Sequence, residues 1–138
     1  MQTKYIPDES VKSYGDIDFN FSPHPVSRDV VILKDVLSVK NSLKNLVLLN
    51  FYEKPFHPEI GTGVYESLFD LQLDDAGLVV LKAQMISTIN LYEPRATDIR
   101  IQIDRPDTAP NSLFISIYFV PINSTEHEKL EFFINPVR

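Results

Sequence analysis

The sequence predicts an α+β domain in which a small antiparallel sheet of about three strands has two to three helices packed on one face. Three observations support this. Apolar residues recur at helical spacing in the middle of the chain, they alternate with polar residues in the last third, and prolines close the elements. A chain of 138 residues can bury a core without disulfides, which fits the absence of cysteine and a reducing compartment.

The charge and the motifs of the chain bear on whether it binds nucleic acid, membranes, metals or cofactors. Thirteen basic and 19 acidic residues give a net charge of −6, which disfavours binding to nucleic acid or to anionic membranes. We expect neither partner, and we find neither a signal peptide nor an apolar run long enough to cross a membrane. The three histidines lack metal-ligand spacing, and the "GTG" at 61–63 lacks the rest of a nucleotide-binding loop. We therefore expect no metal and no cofactor.

The first part of the chain keeps no regular period. Residues 1–28 contain three prolines and are predicted to form an extended arm, ahead of a single domain over 29–138. A β-branched run at 29–34 predicts a short strand. Asp35 then stands where an N-cap is expected for an amphipathic helix over 36–49.

Two further helices are predicted in the middle of the chain. Thr62 is a candidate N-cap for a short helix that carries Val64, Leu68 and Phe69. Asp74 or Asp75 is expected to start a longer helix, which Pro94 ends because proline disfavours helix at the preceding residue. The apolar stripe of the longer helix consists of Leu78, Leu81, Met85, Ile89 and Tyr92.

Three strands are predicted in the last third, over 97–105, 112–120 and 129–137. The middle one is apolar on both faces and is expected to be central or covered on both sides, whereas Pro136 marks the last one as ending at, or lying along, an edge. An edge strand beside a chain end is suited to pairing with a strand from a partner. The residues proposed for this contact edge are Leu130, Phe132, Phe133 and Ile134.

The segment "NFYEKPFHPEIGTG", residues 50–63, is predicted to be a rigid loop. Its prolines are expected to hold it extended, and Gly61 to allow a close approach of the chain. Its three aromatic residues are expected to pin it to the domain, either at an interface or by internal packing alone. The residues assigned to this structural loop are Pro55, Phe56, Pro58, Glu59 and Gly61, and the aromatic anchors are Phe51, Tyr52 and Phe56.

Acidic residues in and near this loop suggest an enzymatic alternative. Glu53, Glu59 and Glu66 could supply the two carboxylates of a glycan-cleaving enzyme, which lie about 5 to 10 Å apart across the sugar. His57 beside Glu59 suggests a base and its orienting group, two metal ligands, or a plain loop hydrogen bond. In a chain with 19 acidic residues some close pair is expected without any catalytic role.

The segment "LYEPRA", residues 91–96, is unusual. Glu93 falls in the last turn of a predicted helix, where the helix dipole disfavours a carboxylate by a few tenths to about 1 kcal/mol. Arg95 lies just beyond the rigid Pro94, and its guanidinium can form two hydrogen bonds to one carboxylate. Two interpretations remain: a helix end closed by a local ion pair, or a preorganised corner that docks on a partner. If the corner docks on a partner, we expect Arg95 variants to fold normally but to fail to bind that partner.

Together these motifs resemble a known family. The stretch "SVKNSLKNLVLLNFYEKPFHPEIGTGVYESLFD" followed at a helix length by "YEPR" is similar to the sheath initiator, a baseplate wedge protein of contractile phage tails with relatives in type VI secretion. The resemblance rests on N-x-[LI]-x-x-[LIV], [RK]-P-F-x-P-E-[FI]-G and Glu-Pro-Arg in that order. Lys54 stands where the family usually has Arg.

The resemblance implies an architectural protein without enzymatic activity. It implies a fold similar to the strand-exchange domain of tail sheath proteins, six copies per baseplate, and a location in the virion tail after assembly in the host cytoplasm. Glu93, Pro94 and Arg95 would dock on the helical core bundle formed by other wedge proteins, and the tail sheath protein would polymerise on this platform. Some family members carry a legacy lysozyme label, which this sequence supports only through its ordinary acidic residues.

Overall fold

The computed structural model describes residues 15–18, 21, 23–29, 32–68, 74–109 and 111–136. By their internal contacts the residues form two compact units, Met1–Ser38 and Val39–Arg138. No helix in the described ranges is both long and apolar enough to cross a membrane.

The first unit contains a short β-ladder. Strand β1 (Gly15–Ile17) pairs antiparallel with strand β2 (Ile32–Lys34), so that Gly15 lies opposite Lys34. Strand β2 falls within the strand predicted at 29–34. Strand β1 lies in the segment predicted as an extended arm. It was not predicted from the sequence, because three residues are too few to show a period of two.

Three helices follow along the chain: α1 (Val36–Leu48), α2 (Val64–Leu68) and α3 (Asp75–Tyr92). Asp74 caps α3 as predicted, since its side chain accepts a hydrogen bond from the Gly77 N–H at 2.8 Å. Helix α3 ends two residues before proline 94, also as predicted.

The predicted cap of α2 is wrong. The Thr62 hydroxyl donates to the Val47 carbonyl at 2.6 Å and is therefore used to join the end of α1 to the chain ahead of α2. The last residue assigned to the short helix from sequence, Phe69, lies outside the described residues.

The sheet of the second unit has three antiparallel strands in the order β3-β4-β5. They are β3 (Ala96–Asp104), β4 (Leu113–Pro121) and β5 (Glu128–Ile134). Each overlaps a predicted strand, β4 is central, and β5 is an edge strand, as the sequence indicated. Three strands with three helices confirm the predicted α+β class.

One face of the sheet and the inner sides of the helices form the core. In β4 the odd-numbered residues from Leu113 to Phe119 are buried, and Phe119 is the largest fully buried side chain. On α3 most of the predicted stripe is buried or half-buried, but Tyr92 in the last turn is 37% exposed. The buried apolar residues from the helices are Val39, Leu43, Val47, Val64, Leu81, Met85 and Ile89.

The register also fixes where the backbone groups of each strand point. The Ile122 N–H donates to the Arg95 carbonyl at 2.9 Å, so even-numbered residues at this end of β4 direct their N–H and C=O groups toward β3. Odd-numbered residues of β4 therefore face β5, where Ile117 pairs with Leu130. Along β5 the alternation leaves the N–H groups of Lys129, Glu131 and Phe133 pointing away from β4.

Candidate functional site

The corner after α3 contains a buried, two-pronged ion pair. Arg95 Nε lies 2.6 Å from Glu93 Oε1, and Arg95 Nη2 lies 2.8 Å from Glu93 Oε2. The Glu93 side chain is 3% exposed and that of Arg95 is 21% exposed. This is the parallel geometry in which arginine binds a carboxylate most strongly.

The backbone of the corner is held on both sides. The Glu93 N–H donates to the Ile89 carbonyl at 2.8 Å as the last bond of α3, and the Ala96 N–H donates to the Glu93 carbonyl at 3.2 Å. Arg95 offers its carbonyl to Ile122 in the connection between β4 and β5. Helix end, turn and sheet therefore fix the spacing of the two charged side chains.

A third side chain also bonds the Glu93 carboxylate. Ser42 of α1 donates its hydroxyl hydrogen to Glu93 Oε2. Burial of the Glu93 carboxyl acts to raise its pKa, but the hydrogen bonds from Arg95 and Ser42 and the Arg95 charge outweigh burial, so the pKa lies below its ordinary value. The sequence does not indicate a role for Ser42, since 51 residues separate it from Glu93 and no local pattern links them.

The structure thus contains the local ion pair, the first of the two interpretations of this corner. The guanidinium fork of Arg95 is directed at Glu93, whereas Pro94 between them is exposed. A partner at this corner would meet Pro94 and the outer side of Arg95. Docking of a wedge bundle on Glu93, Pro94 and Arg95 stays a prediction.

The loop over 50–63 is compact, which corrects the prediction that its prolines hold it extended. The Tyr52 N–H donates to the Pro58 carbonyl at 3.0 Å, and Tyr52 and Phe56 have φ of 68° and 67°. Positive φ at bulky residues reverses the chain at each of these two positions. Pro55, Pro58 and Glu59 lie on the exposed outside of these turns.

The predicted aromatic anchors are also wrong in two of three cases. Phe56 is 97% exposed and Tyr52 is 84% exposed, so neither ring pins the loop to the domain. Only Phe51 is half-buried. Both residues have a left-handed backbone in turns on the surface of the loop, which residue type alone does not reveal.

Backbone contacts at the base of the loop hold it instead. The Thr62 N–H donates to the Leu49 carbonyl at 3.1 Å, and the Thr88 hydroxyl of α3 donates to the Gly61 carbonyl at 3.2 Å. A Cβ on Gly61 would lie 2.6 Å from the Phe51 nitrogen, closer than any side chain allows. The two ends of the loop therefore meet backbone to backbone, which confirms the predicted need for glycine at this position.

We expect Gly61→Ala to lower the melting temperature by several degrees, equivalent to about 1 to 3 kcal/mol, because backbone atoms rather than a flexible side chain must move. Gly77→Ala in the first turn of α3 is the matched control. Alanine favours helix over glycine by up to about 1 kcal/mol, so the control should keep or raise stability. Thermal unfolding by circular dichroism measures both, and equal melting temperatures would contradict the close approach at Gly61.

Of the three acidic residues considered for catalysis, Glu53 and Glu59 form hydrogen bonds within the loop, and Glu66 is exposed. Glu53 accepts hydrogen bonds from the Asn50 N–H and Asn50 Nδ2, each at 2.8 Å, and these bonds lower its pKa. His57 Nδ1 lies 3.2 Å from Glu59 Oε1, and hydrogen bonds from its own backbone N–H and from His57 lower the Glu59 pKa. Glu66 is exposed in α2. Within the described residues no three His, Cys, Asp or Glu side chains could hold a metal ion.

The predicted contact edge lies on β5. Phe132 and Ile134 are buried against the core and Leu130 is half-buried. Phe133 on the opposite face is 62% exposed, with its ring centroid 4.6 Å from that of Phe114. No described strand pairs with the outer side of β5. The position of these four residues is as predicted, and their contact with a partner stays a prediction.

Comparison with solved structures shows a protein of similar fold. No protein-family model matches the chain, and no curated protein matches it. Among solved structures, the fold is similar to a crystal structure from Geobacter sulfurreducens described as a "putative tail lysozyme". The TM-score is 0.61 at 16% sequence identity, over 72% of this chain and 89% of the other. At this identity the likeness establishes a shared fold.

Proposed function

We propose that this chain is a structural component of the baseplate of a contractile phage tail. In this role it docks on the helical core bundle of the baseplate wedge and provides the surface on which the tail sheath starts to polymerise. It acts in the virion tail, is assembled in the host cytoplasm, and is present in six copies per baseplate.

The observation that carries the proposal is the shared fold with a protein whose description places it in a tail. The residues that resemble the sheath initiator support it independently. The "KPFHPEIG" segment forms a compact loop closed at Gly61, and the Glu-Pro-Arg corner is a rigid, buried pair joining α3 to the sheet.

Two features of the geometry suit a scaffold. The corner exposes Pro94 on a backbone that Glu93 and Arg95 hold fixed, so a partner can bind without ordering a loop first. The free side of β5 offers main-chain donors and acceptors to an added strand. The corner adjoins β3, whereas β5 is the other outer strand of the sheet.

The alternative is a small glycan-cleaving enzyme, which the description of the Geobacter sulfurreducens structure favours. A glycosidase needs one carboxyl with a raised pKa as general acid. Glu53 and Glu59 have lowered pKa values, and the Glu93 carboxylate is held by Arg95 and Ser42. Neither Glu53 nor Glu59 therefore has the raised pKa that a general acid needs.

One set of purified proteins tests both functions. We expect the chain to co-purify with the core-bundle proteins of the same phage, and Arg95→Lys, which keeps the charge but loses the two-pronged geometry, to do so at least about tenfold less well. We expect no clearing of peptidoglycan. Clearing that disappears in Glu53→Gln, Glu59→Gln or Glu66→Gln would establish the enzyme, and failure of the folded wild-type chain to bind the bundle would exclude the scaffold role.

A further inference from the structure

The outer side of β5 can accept another strand. The N–H and C=O groups that point away from β4 belong to Lys129, Glu131 and Phe133. All three residues are exposed, and no described strand pairs with them on that side. The other outer strand is closed, because Ile101, whose N–H and C=O groups point away from β4, is 2% exposed and α3 packs against β3. Within the described sheet, an added strand therefore has access to β5 and not to β3.

The charges on this edge are arranged in a self-complementary order. Lys129 and Glu131 lie two residues apart on the same face of the strand, with Lys129 Nζ 2.5 Å from Glu131 Oε1. When two copies of one strand pair antiparallel about a twofold axis, every contact occurs twice with the two residues exchanged. An axis at Leu130 therefore places Lys129 of each copy opposite Glu131 of the other copy.

The same charges select this register over the neighbouring ones. Only odd-numbered residues of β5 direct their backbone groups outward, so a hydrogen-bonded pairing must place odd-numbered residues opposite each other. An axis at Lys129 would oppose two lysines, and an axis at Glu131 would oppose two glutamates, which is destabilising. The axis at Leu130 instead forms two pairs of opposite charge. It also brings the half-buried Leu130 side chains of the two copies together on the other face.

We propose that two copies of this chain associate through antiparallel pairing of their β5 strands about a twofold axis at Leu130. The pairing joins two three-stranded sheets into one continuous sheet and bonds the outward N–H and C=O groups of Lys129 and Glu131. Two lysines and two glutamates then alternate in charge around the axis. A second copy fits this edge because the strand itself carries both members of each pair.

The association does not rest on the proposed baseplate role. In that role it has a consequence, because the dimer covers the edge proposed for the sheath. Free copies paired in this way could not start a sheath, whereas a copy separated from its partner in the baseplate could. The pairing thus supplies a reason why sheath would polymerise on the assembled baseplate and not on the free chain.

The first test is sedimentation equilibrium of the purified full chain at low ionic strength, where exposed charges are least screened. Because a single pair of strands forms a small interface, the protein is measured from about 10 µM to 1 mM. We expect the average mass to rise with concentration toward twice that of the monomer. Lys129→Glu and Glu131→Lys should each weaken this association at least about tenfold, since each turns both opposite-charge contacts into like-charge contacts.

Mixing the variants distinguishes the proposed register from a general effect of charge. An equimolar mixture of Lys129→Glu and Glu131→Lys should associate about as well as the wild type, because each copy supplies the charge that the other lacks. A wild-type chain that stays monomeric over this range, single variants that associate like the wild type, or a mixture no heavier than its components would each overturn the proposal. No other baseplate or sheath protein is present, so such a result leaves the baseplate role unaffected.

The double variant Lys129→Glu/Glu131→Lys provides a test that does not depend on the folding of the single variants. It keeps both opposite-charge contacts with their signs exchanged, so it should self-associate like the wild type. Against a fluorescently labelled wild-type chain it presents like charges at both contacts and should bind at least about tenfold more weakly. Mixed dimers as stable as the wild-type dimer would show that β5 does not pair in this register.

Discussion

Replacing Arg95 by Ala is expected to lower the free energy of unfolding by about 3 kcal/mol, since it leaves the Glu93 carboxylate buried without its guanidinium. Ser42 alone cannot replace a two-pronged charged partner. The measurement is urea unfolding followed by circular dichroism at neutral pH. In the Arg95→Ala background, Glu93→Gln removes the buried charge and should recover part of the loss. A variant as stable as the wild type would contradict the buried pair.

The same variant should show a characteristic pH dependence. In the wild type the Glu93 pKa is lowered, so its contribution to stability is present above the ordinary carboxyl pKa and is lost as pH falls through the folded-state pKa. Without Arg95, burial dominates and the pKa is raised, so protonation stabilises the variant as pH falls. The stability difference between wild type and Arg95→Ala should therefore shrink on acidification. A difference that grows would refute this assignment.

The expected loss of stability changes how docking is tested. From sequence alone, Arg95 variants were expected to fold normally and lose only the wedge partner. The structure places the Glu93 side chain at 3% exposure, which makes Arg95→Ala a stability variant as well. Arg95→Lys retains a positive charge beside Glu93 and is the suitable variant for the docking experiment, provided that its unfolding curve is measured in parallel.

The second large effect is expected at the β5 edge. Glu131→Pro removes an N–H that points away from β4 and places the proline ring where an added strand would lie, so tails bearing sheath should fall at least about tenfold. The fold should survive, because Glu131 is exposed and proline is tolerated on an edge strand. Electron microscopy of tails from a phage complemented with the variant measures the fraction of tails that bear sheath.

Glu131→Ala is the matched control for this edge. It removes the same ion pair with Lys129, whose Nζ lies 2.5 Å from Glu131 Oε1, but keeps the backbone N–H. We expect normal sheath on the alanine variant, and little effect from Phe133→Ser, because strand addition depends on main-chain bonds. Full-length sheath on a folded Glu131→Pro variant would show that β5 is not the initiation surface.

The sequence by itself determined the elements whose cause is local. A period of 3.6 residues located α1 and α3, a period of two located β3 and β5, and a nearly continuous apolar run located β4. Asp74 and Pro94 marked the start and end of α3. Pro136, two residues beyond the end of β5, also indicated a strand at the edge of the sheet. Each of these follows from a side chain acting on its own stretch of backbone.

Tertiary structure alone decided the contacts between distant segments. Ser42 reaches Glu93 across 51 residues, and the rings of Tyr52 and Phe56, which were expected to anchor the loop, are exposed in turns with a left-handed backbone. The direction of the Glu131 N–H depends on which residues of β4 face β3. No local pattern encodes such contacts, because their energy depends on the packing of elements that meet only in the folded chain.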